Sequence, residues 1–256
     1  MGMKIDLNCD MGEGFGRYSF GLDEKLMQSV SSVNIACGFH AGDPMIMDAT
    51  VKLARRFGVA VGAHPGYPDL AGFGRRNLEC SPEEIRQYCI YQIGALQAIC
   101  TANGTRLKHV KPHGALYNLA MKNEAALQAV VDSVALIDPN LSLICLAGPG
   151  SAMISRIAAA SGVRVIFEAF PDRAYEDDGS LVQRKKPGAT IHDPLEAARR
   201  ALQMVRDSRI TSIHNVEFPV QAETLCVHGD SPDAVHMVQM IRRHLEQAGC
   251  RISPVE

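Results

Sequence analysis

The chain has 256 residues, with 26 Lys and Arg against 28 Asp and Glu, which gives a formal net charge of −2 at pH 7. This near balance excludes electrostatic nucleic-acid binding as the main role, because that role needs a strongly basic surface. Hydrophobic residues make up 46% of the chain and charged residues 21%, which are proportions of a folded protein rather than a disordered one.

The eight cysteines are scattered along the chain and form no CxxC pair. A chain of this length can bury a large core without disulfides, so we expect reduced thiols and a cytoplasmic location. The first residues contain no apolar signal segment, and no run of about 18 apolar residues occurs, so we expect neither export nor a membrane span.

Short apolar runs alternate with amphipathic helical stretches, which predicts a parallel sheet. The predicted strands, in chain order, are Ile5–Cys9, Val33–Ala36, Ala60–Ala63, Lys108–Lys111, Ser142–Leu146, Arg164–Ala169 and Thr224–Val227. An open doubly wound sheet and a closed barrel both fit this order. The barrel is favoured, because polar residues follow almost every strand and a barrel gathers all strand ends at one mouth. We therefore expect residues 1–256 to form one β/α-barrel domain.

Helix starts and one irregular segment complete the pattern. The run Ser81-Pro82-Glu83-Glu84 predicts a capping box, with Ser as the N-cap residue and Glu three positions later. Ser231-Pro232-Asp233 predicts the start of the last helix, and Gly249 predicts its end. Residues 172–193 are charged and lack periodicity, so we expect an irregular excursion near the barrel mouth.

Polar residues alternate with apolar ones on the first predicted strand. Asp6, Asn8 and Asp10 share one face, which a barrel would turn inward. Strands of parallel barrels are normally apolar on both faces, and buried carboxylates are costly unless they are paired or bind a ligand. The glycine-rich loop that follows carries Glu13. These residues predict either a functional site or a buried hydrogen-bond network.

Histidines follow the second and third predicted strands. Asn34 lies within the second strand, and His40 follows in a run of small residues that leaves room for a ligand. Cys37 and His40 suit a nucleophilic pair, with a packed thiol beside a hydrogen-bonded histidine as the alternative. His64 lies where the third strand gives way to a loop rich in Pro and Gly.

Basic side chains follow the third and fourth predicted strands. Arg75 and Arg76 carry guanidinium groups that suit a carboxylate or a phosphate, unless they are simple surface residues. Lys111 and His113 lie at the end of the fourth strand. A lysine just inside a barrel mouth is rarely needed for packing, so Lys111 predicts a functional role.

Acids and bases are adjacent after the sixth and seventh predicted strands. Glu168 lies near the end of the sixth, Asp172-Arg173 follows it, and His228-Gly229-Asp230 follows the seventh. Each motif suits acid–base catalysis or substrate binding. The sequence contains no Walker A loop, GxSxG elbow or HExxH motif, so ATP-dependent chemistry would need an unusual site or a partner protein.

Several of these motifs together resemble a known family. The motifs are DLNCDMGE (6–13), NIACGFHAGDP (34–44), HPGYPD (64–69), KPHGALY (111–117), DRAY (172–175) and CVHGD (226–230). They span nearly the whole chain and resemble the LamB/YcsF family, apart from Pro171, where the resemblance leads us to expect Ala.

This resemblance implies a fold and an activity. The implied fold is an irregular seven-stranded β/α barrel similar to the glycoside hydrolase/deacetylase superfamily. The implied activity is that of the A subunit of the ATP-hydrolysing bacterial 5-oxoprolinase, which opens 5-oxo-L-proline to L-glutamate with ATP as co-substrate. The implied partners are the B and C subunits of the same 5-oxoprolinase.

A more distant likeness, to the YdjC-like deacetylases of the same superfamily, implies a divalent metal held by Asp10, His64 and His113. The ion would be Mg²⁺ accompanying ATP, or an ion bound in a Zn²⁺-like site. For the implied reaction, we hypothesise that Asp10 or Glu13 is the general base on water and that His64 or His113 is the acid.

The remaining roles are hypotheses from the residues at the predicted barrel mouth and the chemistry of the implied reaction. Lys111 and Arg173 would stabilise the developing oxyanion and phosphate, and Arg75 with Arg76 would hold the substrate carboxylate. Other residues expected to bind substrate are Asp6, Asn8, Asn34, His40, Glu168, His228 and Asp230. Two alternatives stay open: a metal-dependent amidase or deacetylase acting on a small acylated amine, and a non-catalytic scaffold within the enzyme complex.

Overall fold

Parallel strands form the centre of the fold in the computed structural model, which describes residues 2–18, 22–227 and 233–255. The strands within these ranges are β1 (Lys4–Met11), β2 (Ser32–Ala36), β3 (Ala60–His64), β4 (Leu107–Val110), β5 (Ser142–Leu146), β6 (Arg164–Ala169), β7 (Arg209–Thr211), β8 (Glu217–Pro219), β9 (Thr224–Cys226) and β10 (Arg251–Ile252). Each of the predicted strands is present, whereas the short strands β7, β8 and β10 were not predicted.

Helices cover the outside of the strands. They are α1 (Asp23–Met27), α2 (Pro44–Phe57), α3 (Pro82–Ala102), α4 (Gly114–Ala120), α5 (Glu124–Ile137), α6 (Ser151–Ala160), α7 (Pro194–Arg206) and α8 (Ala234–Gln247). Contacts between neighbouring helices, such as α3 with α5 and α7 with α8, complete the outer layer.

The sheet closes through β9, which pairs in parallel with both β6 and β1. Thr224 is the residue at the closure, because it lies opposite Glu168 on one side and Asp6 on the other. The ring order is β1-β2-β3-β4-β5-β6-β9, which makes a seven-stranded parallel barrel within the described ranges. The closed barrel is therefore confirmed, and the open doubly wound sheet is excluded.

The first strand shows how the barrel sorts its side chains. Leu7 and Cys9 are fully buried and belong to the hydrophobic core. Asp6, Asn8 and Asp10 alternate with them and make their side-chain contacts with polar groups of other strands. The period of two in the sequence thus separates an apolar layer under the helices from a polar interior.

Two of the predicted helix signals can be compared with the structure. Ser81 Oγ accepts a hydrogen bond from the backbone N–H of Glu84 at 3.2 Å, and Glu84 Oε2 accepts one from the N–H of Ser81 at 2.7 Å, which confirms the capping box. Gly249 follows α8 with a φ of +80°, the left-handed conformation typical of a helix end. The predicted start at Ser231-Pro232 lies outside the described residues.

Residues 172–193, called here the mouth excursion, form the predicted irregular segment. β-Bridges join Arg173 to Thr190 and Tyr175 to Leu181 within it. Arg200 of α7 donates a hydrogen bond to the backbone carbonyl of Arg173 at 2.7 Å and so ties the segment to the helical layer. The excursion contributes several residues to the wall of the cavity described below.

Two expectations about the protein's environment can also be examined. All eight cysteines lie in the described ranges and are free thiols, as the sequence predicts. Among the residues that the structure describes, no helix combines the length and the apolar character needed to cross a membrane.

Candidate active site

A cavity of about 980 Å³ opens at the carboxyl ends of the barrel strands. The side chains expected to be catalytic all line it, namely Asp10, Glu13, His64, Lys111, His113 and Arg173. They lie at the ends of β1, β3, β4 and β6 or in the segments that follow these strands. The parallel barrel therefore brings residues that are far apart in the sequence to one mouth.

Lys111 is buried at the floor of this cavity. Its ammonium lies 3.1 Å from Asp10 Oδ1 and 3.2 Å from Glu168 Oε2, and it donates a hydrogen bond to Cys226 Sγ at 3.0 Å. Burial alone lowers the pKa of this lysine, but the neighbouring Asp10, Cys226 and Glu168 raise it well above its usual value. The ammonium is therefore charged at neutral pH and presents a fixed positive charge to the cavity.

Glu168 and Asn34 support this floor without lining the cavity. Glu168 is fully buried; burial raises the pKa of its carboxyl, and Lys111 acts in the opposite direction. Asn34 donates hydrogen bonds to Asp10 Oδ1 and Asn8 Oδ1, both at 2.8 Å. The structure therefore places both residues directly behind cavity-lining groups, Glu168 against Lys111 and Asn34 against Asp10.

Asp6 and Asn8 lie deeper in the barrel. Asp6 accepts hydrogen bonds from the hydroxyls of Ser32 at 2.7 Å and Thr224 at 2.6 Å. Asn8 donates to Thr224 Oγ1 at 2.7 Å. These two side chains were expected to bind substrate, but they do not line the cavity, and they form the buried polar network that was the alternative interpretation of β1.

His64 and His113 face each other, with 3.0 Å between His64 Nε2 and His113 Nδ1. Their other ring nitrogens contact backbone carbonyls, at 2.6 Å from His64 Nδ1 to Lys111 O and 2.8 Å from His113 Nε2 to Phe73 O. A carbonyl only accepts hydrogen bonds, so we assign the ring hydrogen to these outer nitrogens. With these tautomers, His64 Nε2 and His113 Nδ1 direct their lone pairs toward the same space. A shared proton or a bound cation between them would stabilise this arrangement.

Glu13 and His40 extend this pair into a cluster. His40 Nε2 and His113 Nδ1 each lie 3.7 Å from Glu13 Oε1, and the rings of His40 and His113 stack with 3.7 Å between centroids. His40 is fully buried, and neither of its ring nitrogens has a hydrogen-bond partner among the described residues. Ligand atoms from these three residues and His64 lie within 4.8 Å of one another, which makes a possible metal-binding cluster.

The chemistry of this cluster fits a divalent transition metal. Burial, followed by the neighbouring histidines, lowers the pKa of both His40 and His113 well below the usual value, so both imidazoles are neutral at neutral pH. Neutral imidazoles with one carboxylate suit Zn²⁺, whereas Mg²⁺ prefers oxygen ligands. The carbonyl contacts of His64 and His113 orient the rings, as the outer partners of metal-bound histidines do.

The ligand set differs in part from the one expected. His64 and His113 belong to both sets, while Glu13 and His40 join them in place of Asp10. Asp10 Oδ2 lies 3.3 Å from His64 Nε2, but its other carboxylate oxygen contacts Lys111. Asp10 therefore lies between the histidine cluster and the lysine.

Two local features hold the cluster in place. Gly74 has a φ of +62°, and a Cβ at this position would lie 2.7 Å from His40 Cβ and 2.8 Å from His113 Cδ2. Only glycine fits this close approach. Asp43 caps α2, and its second carboxylate oxygen accepts a hydrogen bond from the N–H of Gly16 at 2.8 Å, which anchors the loop after β1.

The structure does not support a nucleophilic pair of Cys37 and His40. Cys37 Sγ donates to the carbonyl of Ile35 at 3.1 Å. Burial raises the pKa of this thiol to about 12, so it stays protonated and unreactive. The packed thiol is the arrangement observed.

The two adjacent arginines have different surroundings. Arg75 lines the cavity, with its guanidinium carbon 4.9 Å from the centroid of the Phe73 ring. Arg76 does not line it, because its guanidinium is ion-paired with Asp69. Of these two arginines, the structure therefore brings only Arg75 to a position where it can hold a carboxylate or a phosphate in the cavity.

Arg173 is buried in the cavity wall. Its guanidinium donates to the carbonyls of Val182 at 2.6 Å and Ala189 at 3.2 Å, both in the mouth excursion. Burial is the main reason why its pKa is lowered to about 10. The expected contacts from His228 and Asp230 lie outside the described residues.

Several residues in or beside the site were not assigned to it from the sequence, among them His109, Tyr117 and Arg184. His109 Nε2 lies 2.8 Å from Asn34 Oδ1, and burial lowers the pKa of His109 to about 3. Tyr117 and Arg184 line the cavity. Two of these residues had a recognisable sequence pattern: His109 lies two positions before Lys111 on the same strand, and Tyr117 ends the motif KPHGALY. Arg184 lies in the irregular mouth excursion and had no such pattern.

Comparisons with known proteins bear on this site. The sequence profile of the LamB/YcsF family matches residues 5–256. A protein of Syntrophobacter fumaroxidans, named as the A subunit of 5-oxoprolinase, is 53% identical over 250 residues, which cover 98% of each chain. The crystal structure of a lactam utilization protein from Thermus thermophilus is 47% identical, with a TM-score of 0.92 over 99% of this chain and 100% of that one. A polysaccharide deacetylase from Bacillus cereus shares the fold alone, at 15% identity and a TM-score of 0.50 over 99% and 92% of the two chains.

Proposed function

Because the chain belongs to the LamB/YcsF family, we propose that it is the A subunit of a 5-oxoprolinase, which opens 5-oxo-L-proline to L-glutamate with hydrolysis of ATP. The observation that carries the proposal is the similarity, over nearly the full length, to relatives named as 5-oxoprolinase A subunits at 53% and 50% identity. The charged cavity supports it, since a small polar lactam needs several fixed polar groups for binding and activation.

The lysine of the cavity floor suits the difficult step of this reaction. A lactam is an unreactive amide, and attack on its carbonyl places negative charge on the carbonyl oxygen. Lys111 is held by Asp10 and Glu168 and offers a preorganised positive charge for that oxygen. Transfer of a phosphoryl group from ATP to the lactam oxygen would make the carbon a better electrophile, and Arg173 is placed to stabilise the added charge.

We assign the general base to Asp10. Its Oδ1 is held by Lys111 and Asn34, while its Oδ2 faces the histidine cluster at 3.3 Å from His64 Nε2. Asp10 would take a proton from water and return it to the ring nitrogen as the C–N bond breaks. The acyl phosphate left by this step would then be hydrolysed by a second water to L-glutamate and phosphate. His113 was one of the two expected acids, but its lowered pKa makes it a neutral imidazole at neutral pH, without the second ring proton that an imidazolium acid would donate.

We propose that Glu13, His40, His64 and His113 hold a divalent metal ion of the Zn²⁺ type. A bound ion of this kind polarises a carbonyl group and lowers the pKa of a coordinated water. The chain's own contribution is to keep the His40 and His113 imidazoles neutral by burial and to orient His64 and His113 through backbone carbonyls. Mg²⁺ would enter separately, with ATP.

The complex and its location complete the proposal. The names of the relatives imply an enzyme of several subunits, and we propose the B and C subunits of 5-oxoprolinase as the partners. The sequence contains no Walker A loop, which favours ATP binding with the help of these partners. We also propose that the chain is one barrel domain and works in the cytoplasm, where its eight free thiols would stay reduced.

The test is glutamate formation from 5-oxoproline by the purified chain, alone and with the B and C subunits, with and without ATP. We expect ATP-dependent glutamate only when the partners are present. Asp10→Asn should lower turnover at least about 100-fold. Asp48→Asn is the matched control, because Asp48 pairs with Lys52 on the surface. No glutamate in any mixture, with all subunits verified, would overturn the proposal.

The same assay separates the alternatives. The histidine cluster favours a metal-dependent amidase as the second candidate. That function predicts hydrolysis of a small acylated amine by the chain alone, without ATP, and loss of activity on chelation. A scaffold role predicts full activity of the complex when the chain carries Asp10→Asn.

A further inference from the structure

The cavity is much larger than the proposed substrate. Its volume is about 980 Å³. 5-Oxoproline has nine non-hydrogen atoms, and even at a whole water's share of about 30 Å³ for each atom it would fill little more than a quarter of this space. The remaining volume has room for a second chemical group.

Arginines from different segments line the cavity. Arg75, Arg173 and Arg184 line the cavity, together with the exposed side chains of Lys122 and Lys185. These residues come from three separate segments: the loop after β3, the end of α4 and the mouth excursion. The positive charge is therefore a product of the fold rather than of one basic run in the sequence.

The mouth excursion holds one of these arginines firmly. The Arg173 guanidinium is fixed by the carbonyls of Val182 and Ala189, at 2.6 and 3.2 Å, and the Arg173 carbonyl is held by Arg200 at 2.7 Å. Only 5% of Arg173 is exposed. Neutral carbonyls offset the cost of burying a charge only in part, and an anion in the cavity would offset more of it.

The electrostatic surroundings of Arg173 agree with this geometry. Burial, and then the charge of Arg184, lower its pKa to about 10; Arg75 acts in the same direction, and Asp172 acts against it. The charges of Arg184 and Arg75 thus both act on the Arg173 guanidinium, and the Asp172 carboxylate acts against them.

We propose that Arg75, Arg173 and Arg184 form a phosphate subsite, which binds the phosphoryl group of a second ligand while the lactam lies against Lys111. Arginine suits this role, because its planar donors match phosphate oxygens in pairs. The position of the lactam rests on the proposed function, whereas phosphate binding does not. A nucleotide and a phosphorylated lactam would present the same chemistry to these arginines.

The test uses the full chain and inorganic phosphate as the probe, titrated by calorimetry at low ionic strength. We expect saturable binding that Arg75→Gln and Arg184→Gln each weaken about tenfold or more, since each removes a charge-assisted hydrogen bond. Arg76→Gln is the matched control, because it removes the same charge from a neighbour that pairs with Asp69 outside the cavity. Thermal unfolding of each variant checks that the fold is retained.

The outcomes are distinct. Absence of saturable phosphate binding, or equal weakening by Arg76→Gln, would overturn the subsite. Titration with ADP identifies the source: tighter binding of ADP than of phosphate indicates a nucleotide, and no gain indicates a phosphorylated small molecule. If the arginine variants bind phosphate like the wild type while the complex still forms glutamate, the subsite fails and the proposed function stands. If phosphate binding depends on the arginines but the complex forms no glutamate, the subsite stands and the proposed function fails.

Discussion

Replacement of Lys111 by methionine tests the charge balance of the cavity floor. The variant keeps a long unbranched side chain but removes the ammonium, which lies 3.1 Å from Asp10 and 3.2 Å from Glu168. At an effective dielectric constant of about 20, each contact provides roughly 5 kcal/mol of Coulomb attraction. Without it the fully buried Glu168 loses its counter-charge, and we expect this carboxylate to take up a proton in order to stay in the fold.

The free energy needed to protonate Glu168 sets how much stability the Lys111→Met variant loses. An ordinary glutamate has a pKa of 4.5, so protonation of Glu168 at pH 7 costs about 3.4 kcal/mol, at about 1.36 kcal/mol per pH unit. Removal of one partner from a buried ion pair typically costs about 3–5 kcal/mol, which agrees. Glu168 would be protonated in the folded variant and ionised in its unfolded chain. The free energy of unfolding of Lys111→Met should therefore fall, relative to the wild type, by about 1.4 kcal/mol per pH unit above pH ~5.

The assays are urea unfolding at pH 6, 7 and 8 and thermal unfolding at pH 7, both followed by circular dichroism. At pH 7 we expect a melting temperature about 7–14 °C below that of the wild type. The double variant Lys111→Met/Glu168→Gln should lose the pH slope and regain most of the stability, because no carboxylate needs a proton, yet it should not regain turnover. If the unfolding free energy of Lys111→Met does not fall with pH relative to the wild type, the ion pair with Glu168 is refuted. If the turnover of Lys111→Met stays within a few-fold of the wild type, the catalytic role of Lys111 is refuted.

Three further predictions concern the cluster and the helices. The chain should bind about one equivalent of Zn²⁺ by elemental analysis, His40→Gln should weaken this binding about tenfold or more, and His244→Gln on α8 should leave it unchanged. Gly74→Ala should weaken Zn²⁺ binding, because the added Cβ would displace the imidazoles of His40 and His113. Gly104→Ala is the control: its φ is +66° and its Cβ would meet no atom within 4 Å, so it imposes backbone strain alone and should leave Zn²⁺ binding unchanged. Ser81→Ala should cost about 1 kcal/mol, seen as a fall of about 2–4 °C in melting temperature, while Ser81→Asp should retain the cap; an unchanged melting temperature for Ser81→Ala would contradict the capping box.

The barrel strands could be predicted because each is a short apolar run between turn residues. Their polar ends also indicated closure, since seven such ends meet at one place only in a barrel. The strands β7, β8 and β10 have two or three residues each, which is too short for any periodicity to show. Thr224, which pairs with both β6 and β1 and so closes the ring, carries no sequence signal of that pairing.

The residues predicted to be catalytic all line the cavity, but the depth of other predicted residues in the barrel could not be read from the sequence. Asp6 and Asp10 share a face of β1, yet each two-residue step along a strand moves a side chain by about 6–7 Å, so Asp6 lies well below the mouth. Arg75 and Arg76 look alike in the sequence. Only the turn that brings Asp69 back to Arg76 distinguishes them, and such loop geometry has no periodic signature. The same reason explains why Arg184 was missed.

Lys111 connects the two halves of the site through different atoms. Its ammonium contacts the Asp10 and Glu168 carboxylates, whereas its backbone carbonyl lies 2.6 Å from His64 Nδ1 and so directs His64 Nε2 into the histidine cluster. A substitution of the side chain removes the first contact and leaves the second. Lys111→Met should therefore lose turnover while Zn²⁺ affinity stays within a few-fold of the wild type. Parallel loss of both would mean that the ammonium, through Asp10, also shapes the cluster, and the separate roles assigned to lysine and metal would have to be merged.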